Sequence, residues 1–126
     1  MPEITLEKSI NVRGTPLQEC STSPLTGFLR DGYCNTCKED VGSHTVCIKA
    51  SKEFLEYSRF AGNDLSTPHP NLGFSGIREN DGWCLCASRW LEAEKNGMAP
   101  KVFLDSTHIK ALDIIPLELL LKYAAD

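Results

Sequence analysis

Six cysteines and three histidines carry most of the chemistry that this sequence of 126 residues could perform. His44 lies among clustered thiols, three residues before Cys47. Thiolate and imidazole groups bind zinc, and a cysteine that loses its proton to a nearby imidazole is a nucleophile. Unpaired cysteine is also among the most buried residue types. The cluster is therefore compatible with a metal site, a reactive thiol or plain core packing.

The metal hypothesis starts from Cys34 and Cys37, whose spacing lets one turn present two thiolates to zinc. Cys84 and Cys86 are separated by one residue, and their side chains share a face if that segment is a strand. Zinc is the cofactor that this hypothesis predicts. The candidate metal ligands are Cys20, Cys34, His44, Cys47, Cys84 and Cys86.

The reactive-thiol hypothesis uses Cys34, His44 and Cys47 as catalytic residues. His44 and Cys47 are close in sequence, but residues three apart on a strand point to opposite faces. A pairing of His44 with Cys34 across the intervening loop is equally compatible with the sequence. A cysteine near His44 would then act as the nucleophile of a thiol-based enzyme.

Two long segments, 14–43 and 62–82, look irregular and contain eight of the nine glycines. Loops of this length are uncommon in compact domains and are often functional. We expect a small polar ligand to bind beside the cysteines, and the candidate ligand-binding residues are Asp40, Asn63, Asp64, Ser66, Arg89 and His108. The alternative is that the Asn, Asp and Ser side chains of the second loop build the turn itself. A structural zinc-binding or protein-interaction domain is a further alternative.

The elements that position these groups follow from apolar periodicity and capping signals. Strands are predicted over 44–50, 83–86 and 102–104. Helices are predicted after Ser51 up to Gly62, over 87–96, over 108–112 with Thr107 as cap, and from Pro116 onward. This pattern predicts one α+β domain over 1–126, with a small mixed sheet, three or four helices and two long irregular loops.

The charge balance excludes some classes of partner. The net charge is −4, with 17 acidic and 13 basic residues and no Lys/Arg cluster, so we expect no nucleic-acid partner. No apolar run reaches the length of a membrane span. The start of the sequence, Met1-Pro2-Glu3-Ile4-Thr5, does not resemble a secretory signal. We therefore expect a cytoplasmic location and cysteines that are not paired in disulfides. The sequence gives no indication of the oligomeric state.

Several ordered motifs resemble a known family. They are Asn11-Val12-x-Gly14-x-Pro16-Leu17, Cys20-Ser21-x-x-Pro24-x-Thr26-Gly27-Phe28, Arg30-Asp31-Gly32-x-Cys34-x-Thr36, Asp40-Val41-Gly42-Ser43-His44-Thr45-Val46-Cys47, Gly62-Asn63-Asp64-Leu65-Ser66-Thr67-Pro68, Trp83-Cys84-Leu85-Cys86-Ala87 with Arg89-Trp90, and Thr107-His108. Together they look like the uncharacterised family known as domain of unknown function 2237.

The resemblance covers nearly the whole chain and implies a residue pattern rather than a reaction. The positions that match the family pattern are Cys20, Cys34, Asp40, His44, Cys47, Cys84, Cys86 and His108. Cys37 departs from the pattern, because the family more often has glycine there. The resemblance therefore weakens a zinc site built on Cys34 and Cys37.

Overall fold

Three short antiparallel strands form the sheet of the computed structural model, which describes residues 9–126. They are β1 (Val46–Lys49), β2 (Gly82–Leu85) and β3 (Lys101–Val102), in the order β2-β1-β3. The sheet and its helices confirm the α+β class. The segment 1–5, on which the prediction about a secretory signal depends, lies outside the described residues.

The central position of β1 follows from its sequence. Val46, Cys47 and Ile48 are fully buried, because this strand has a neighbour on each side and one face against the apolar core. Its register pairs Cys47 with Cys84 and Ile48 with Trp83. Residues directly opposite each other on neighbouring strands lie on the same face, so the two cysteines share one face of the sheet.

Two helices follow the first two strands, as the capping signals predict. The first, α1 (Lys52–Phe60), begins after Ser51, whose hydroxyl accepts a hydrogen bond from the Phe54 amide at 3.1 Å. Gly62 follows its end with a φ of +94°, the left-handed conformation that glycine adopts without steric cost. The second, α2 (Ala87–Lys95), starts directly after β2 and buries Trp90 completely.

The C-terminal part contains α3 (Leu117–Lys122) and two 3₁₀ helices, Leu104–Ser106 and Ile109–Asp113. A further 3₁₀ turn, Pro70–Leu72, interrupts the second long loop. The strand bounds differ from the prediction by one or two residues at each end, and the differences at the third strand and at the cap of the following short helix have a clear physical reason. The third strand ends at Val102, because Leu104 already starts a 3₁₀ turn and donates its amide to Asp126 at 2.7 Å.

The short helix after this turn is capped by His108 and not by Thr107. His108 Nδ1 accepts a hydrogen bond from the Lys110 amide at 3.0 Å. The Thr107 hydroxyl is already engaged, since it accepts from the Cys47 amide at 3.1 Å and donates to the Phe103 carbonyl at 2.9 Å. None of the helices in the described range is long and apolar enough to span a membrane.

Candidate functional site

Four of the six cysteines are joined in two disulfides, Cys20–Cys47 and Cys34–Cys84. The expectation of cysteines outside disulfides is therefore wrong for these four. The reason is the strand register, which places Cys47 opposite Cys84 on one face of the sheet. The first long loop brings Cys20 and Cys34 to that face, at Cα distances of 5.7 and 5.3 Å from their partners.

The disulfides change the roles that Cys34 and Cys47 can take. A thiolate is the nucleophile and the metal ligand, and a sulfur in a disulfide is neither. The Sγ atoms of Cys20, Cys34 and Cys47 lie within 4.8 Å of one another, so the two disulfides pack side by side in a small buried cluster. Zinc binding by this set would require both disulfides to be reduced first.

Two cysteines of the described chain remain as thiols, and their surroundings differ. Cys37 is buried, and this burial, with the nearby Glu39 carboxylate, raises the pKa of its thiol. Cys86 is half-buried at the N-terminal end of α2, where its Sγ lies 3.1 Å from the Ser88 hydroxyl. Cys86 is not among the catalytic residues predicted from the sequence. Its position directly before a predicted helix is the sequence signal that could have pointed to it.

A cleft of about 560 Å³ opens beside β2 and the first turn of α2. This volume is in the range of pockets that hold small molecules. We call it the β2 cleft. It is lined by Gly27, Phe28, Arg30, His44, Asn63, Leu65, Trp83, Cys84, Leu85, Cys86 and Arg89. The cleft therefore lies where both long loops meet the edge of the sheet. Its lining includes a free thiol, an imidazole and two guanidinium groups.

His44 is held in the β2 cleft by a buried carboxylate. Its Nδ1 lies 2.7 Å from Asp40 Oδ1, and its backbone amide donates to Asp40 Oδ2 at 2.9 Å. The Asp40 side chain is fully buried and also accepts a hydrogen bond from the Thr36 hydroxyl at 2.9 Å. A carboxylate that accepts from Nδ1–H leaves Nε2 of the neutral ring without a proton, so Nε2 is able to act as a base.

Gly42 allows the imidazole to take this position. A Cβ atom on Gly42 would lie 2.9 Å from His44 Cε1, closer than such atoms approach each other. The ring also stacks on Phe28, with 6.2 Å between ring centres. The turn between Asp40 and β1 thus fixes both the hydrogen bonding and the orientation of His44.

Two arginines give the β2 cleft positive charge. The guanidinium of Arg30 lies over the Trp83 ring and donates to the Gly27 carbonyl at 3.1 Å. Arg89 donates to the Ala61 carbonyl at 3.3 Å and lies 3.6 Å from the Glu92 carboxylate, its neighbour on α2. Each guanidinium has five N–H donors, so these contacts leave donors for a bound molecule.

The family model described as "Uncharacterized protein conserved in bacteria (DUF2237)" matches residues 10–124. The chain belongs to DUF2237. The resemblance seen in the sequence motifs is thereby confirmed. No curated protein matches the chain.

The remaining candidate ligand-binding residues of this DUF2237 protein fall into separate places. Asn63 and Arg89 line the β2 cleft, and Asp40 lies behind His44. The carboxylate of Asp64 accepts hydrogen bonds from two amides and a hydroxyl within its own loop, so it builds the turn together with Ser66. His108 is completely buried away from the cleft lining.

A second hollow of about 430 Å³ adjoins the β2 cleft in the DUF2237 structure. The two share Arg30, Leu65 and Trp83, so the stacked arginine and tryptophan stand between them. The other lining residues of the second hollow are Leu25, Asp64, His69, Leu72, Gly73 and Phe74. The second hollow is mainly apolar, whereas the β2 cleft exposes polar and apolar surface in about equal parts.

Proposed function

We propose that this DUF2237 protein binds a small anionic molecule, a carboxylate or a phosphate, in the β2 cleft. One observation carries the proposal. Arg30 and Arg89 both face this cleft, and none of its described lining residues is acidic, although the whole chain has a net charge of −4. A positive site on an acidic protein attracts anions selectively, since the remaining surface repels them.

The two guanidinium groups are held before a ligand arrives. Arg30 is fixed by the Gly27 carbonyl and the Trp83 ring, and Arg89 is fixed by the Ala61 carbonyl. Side chains that are already ordered lose less conformational entropy on binding. Their planar forks match the two oxygens of a carboxylate or phosphate, and such charge-assisted hydrogen bonds are the strong ones.

The remaining polar groups would fix the orientation of the anion. The Asn63 amide supplies donors for the anion, and the unprotonated Nε2 of His44 supplies an acceptor for a hydroxyl or other donor on the same ligand. Leu65 and Trp83 supply apolar surface. A few placed polar groups on an apolar wall are typical of small-molecule sites.

Titration with malonate, inorganic phosphate and the neutral malonamide tests this proposal. Binding is read by thermal stability and by the tryptophan fluorescence of Trp83. We expect malonate, phosphate or both to raise the Tm and change the fluorescence, while malonamide does neither. Arg89→Gln should weaken anion binding by about tenfold or more, since a hydrogen bond to a charged group contributes about 1.5–3 kcal/mol.

Arg78→Gln is the matched control, because Arg78 is exposed and lies outside the lining of the β2 cleft. It removes the same charge from the protein and should leave anion binding unchanged. If both variants bound the anion equally weakly, overall charge and not a contact in the cleft would determine binding. That result would contradict the proposed site. A malonamide response equal to that of malonate would contradict the anionic character of the ligand.

A cytoplasmic location stays a prediction, and the disulfides make it testable. Disulfides are rare in reducing compartments. Acid quenching of the cells followed by N-ethylmaleimide in denaturant labels every free cysteine, including the buried ones, and intact mass then gives their number. Six labelled cysteines would support the cytoplasm, whereas two would indicate an oxidising compartment.

A further inference from the structure

Cys86 has the position of a nucleophile in the β2 cleft. It is a thiol outside both disulfides, half-buried and at the N-terminal end of α2, a helix of nine residues. The first-turn amides of Ser88 and Arg89 have no carbonyl within the helix to which they can donate. They lie at the positive end of the helix dipole, where a developing oxyanion is stabilised.

The backbone connects this thiol to the His44–Asp40 pair. The Ala87 amide donates to the Ser43 carbonyl at 3.0 Å, so the residue after Cys86 is bonded to the residue before His44. Both side chains line the same cleft. The other charged groups of that lining are Arg30 and Arg89, and Asp40 lies behind the imidazole.

We propose that Cys86 is the nucleophile of an acyl-transfer reaction, with His44 as its base and Asp40 as the positioning residue. The inference rests on the proposed function for binding: the substrate is an activated ester or thioester that carries an anionic group held by the cleft arginines. A nucleophile, a base that can reach it and a third group that orients the base are the recurring parts of such sites.

The reaction needs no external oxidant or reductant. The Cys86 proton passes to His44 Nε2 through water, and the sulfur forms a bond to the acyl carbon. The bond from that carbon to the leaving oxygen or sulfur breaks, and His44 returns the proton to the leaving group. Water, deprotonated by His44, then attacks the thioester, releases the carboxylate and restores the thiol.

Alkylation of the folded protein tests the base. Iodoacetamide forms an S–C bond and releases iodide, and peptide mass spectrometry separates Cys86 from Cys37. We expect Cys86 to react at least tenfold faster in the wild type than in His44→Gln at pH 6.5, with equal rates at pH 9.5. Asp40→Asn should show the same change in pH profile, and added imidazole should restore the rate of His44→Ala. Cys37 should react slowly in every variant.

Two model esters test acyl transfer. Mono-p-nitrophenyl adipate carries a carboxylate, which is too far from the ester to form a small cyclic anhydride, and p-nitrophenyl hexanoate is neutral. We expect the adipate ester to acylate Cys86 at least tenfold faster than the hexanoate, with release of p-nitrophenolate. Cys86→Ser should abolish the protein-dependent release, Cys37→Ala should keep it, and Arg89→Gln should lower the rate for the anionic ester more than the rate for the neutral one.

Each result decides a separate step. If neither ester acylates Cys86, the acyl-transfer assignment is overturned. If His44→Gln leaves the rate at pH 6.5 unchanged, the role of His44 is overturned. Malonate and phosphate binding by the wild type, followed by Tm, report on the proposed function alone. Binding of either anion without acylation of Cys86 removes this inference and leaves the anion site, whereas binding of neither anion removes the site itself.

Discussion

The guanidinium carbon of Arg30 lies 5.3 Å from the centre of the Trp83 ring, so a cation from the first long loop stands over an aromatic residue of β2. Arg30 has a φ of 55°, a left-handed conformation that side-chain-bearing residues rarely adopt. Its amide and its guanidinium both donate to the Gly27 carbonyl, which holds this turn in place. A strained residue with a fixed side chain at a cleft is consistent with selection for binding over stability.

This strain gives the first prediction. Arg30→Gly relieves the backbone, whereas Arg30→Gln keeps the strain and loses the contact with Trp83. We expect Arg30→Gly to be more stable than Arg30→Gln by about 1 kcal/mol in urea unfolding. Both should lose malonate binding by about tenfold or more, because both remove the guanidinium. Equal stability of the two variants would show that the left-handed turn costs nothing.

The space over Gly42 gives the second prediction. Gly42→Ala places a methyl group where it displaces the His44 ring, so the imidazole should turn away from Asp40. We expect the labelling rate of Cys86 at pH 6.5 to fall at least threefold, and the NMR signal of the His44 ring to shift. Val41→Ala is the control, since the Val41 side chain is 94% exposed and carries no contact to the site. If the His44 signal did not shift in Gly42→Ala, the close approach of position 42 to the His44 ring would be contradicted.

The third prediction concerns the Cys34–Cys84 disulfide, which closes a loop of 50 residues. In the chain-entropy account, a cross-link over such a length stabilises the fold by about 4 kcal/mol. The double variant Cys34→Ala/Cys84→Ala should lower the free energy of unfolding by about that amount in urea. Cys37→Ala removes a buried cysteine without breaking a cross-link and should cost much less. Similar losses in both would mean that packing, and not the covalent link, carries the effect.

The fourth prediction is a pH dependence in the second long loop. The hydrogen bond from the Thr67 hydroxyl, with the Ser66 and Thr67 amides and Arg59, lowers the pKa of Asp64. A carboxyl group with a lowered pKa in the fold stabilises it above the pKa of the unfolded chain. That stability is lost as the pH falls through the folded value.

Hydrogen exchange of the backbone amides, followed by NMR, measures this pH dependence of the second long loop. Protection of the Ser66 and Thr67 amides should be constant from pH 7 down to pH 5 after correction for intrinsic rates, and should fall only in stronger acid. Asp64→Asn should lower protection at pH 7 and remove most of the change in acid. An acid response of the same size in Asp64→Asn would assign it to another carboxyl group.

Local signals predicted the fold well. Ser51 and Gly62 bound α1 because a cap hydroxyl and a left-handed glycine act within a few residues of chain. The end of the third strand and the identity of the cap were missed because of contacts that are distant in sequence. Leu104 donates to Asp126, and the Cys47 amide engages the Thr107 hydroxyl, which leaves the cap to His108.

Four of the residues selected from the sequence, Asp40, His44, Asn63 and Arg89, lie at or behind one cleft, and their roles there stay predictions. The pairing of Cys34 with Cys84 could not be read from the sequence, since six cysteines can pair in many ways and only the register of β1 and β2 brings the partners together. The same register explains why Cys86, one residue beyond β2, remained a thiol in the cleft.

The Cys34–Cys84 disulfide links the two sides of the cleft directly, and Cys20–Cys47 ties the other end of the same loop to β1. Phe28 and Arg30 belong to the loop that Cys34 attaches to β2, while Trp83 and Cys86 belong to the strand and helix on the other side. On the proposed function, we expect cleavage of the Cys34–Cys84 bond to lower the affinity for the anion, because the loop that carries Arg30 loses one of its attachments to the strand that carries Trp83. The redox state of two sulfurs that never touch the ligand would then set how well it is held.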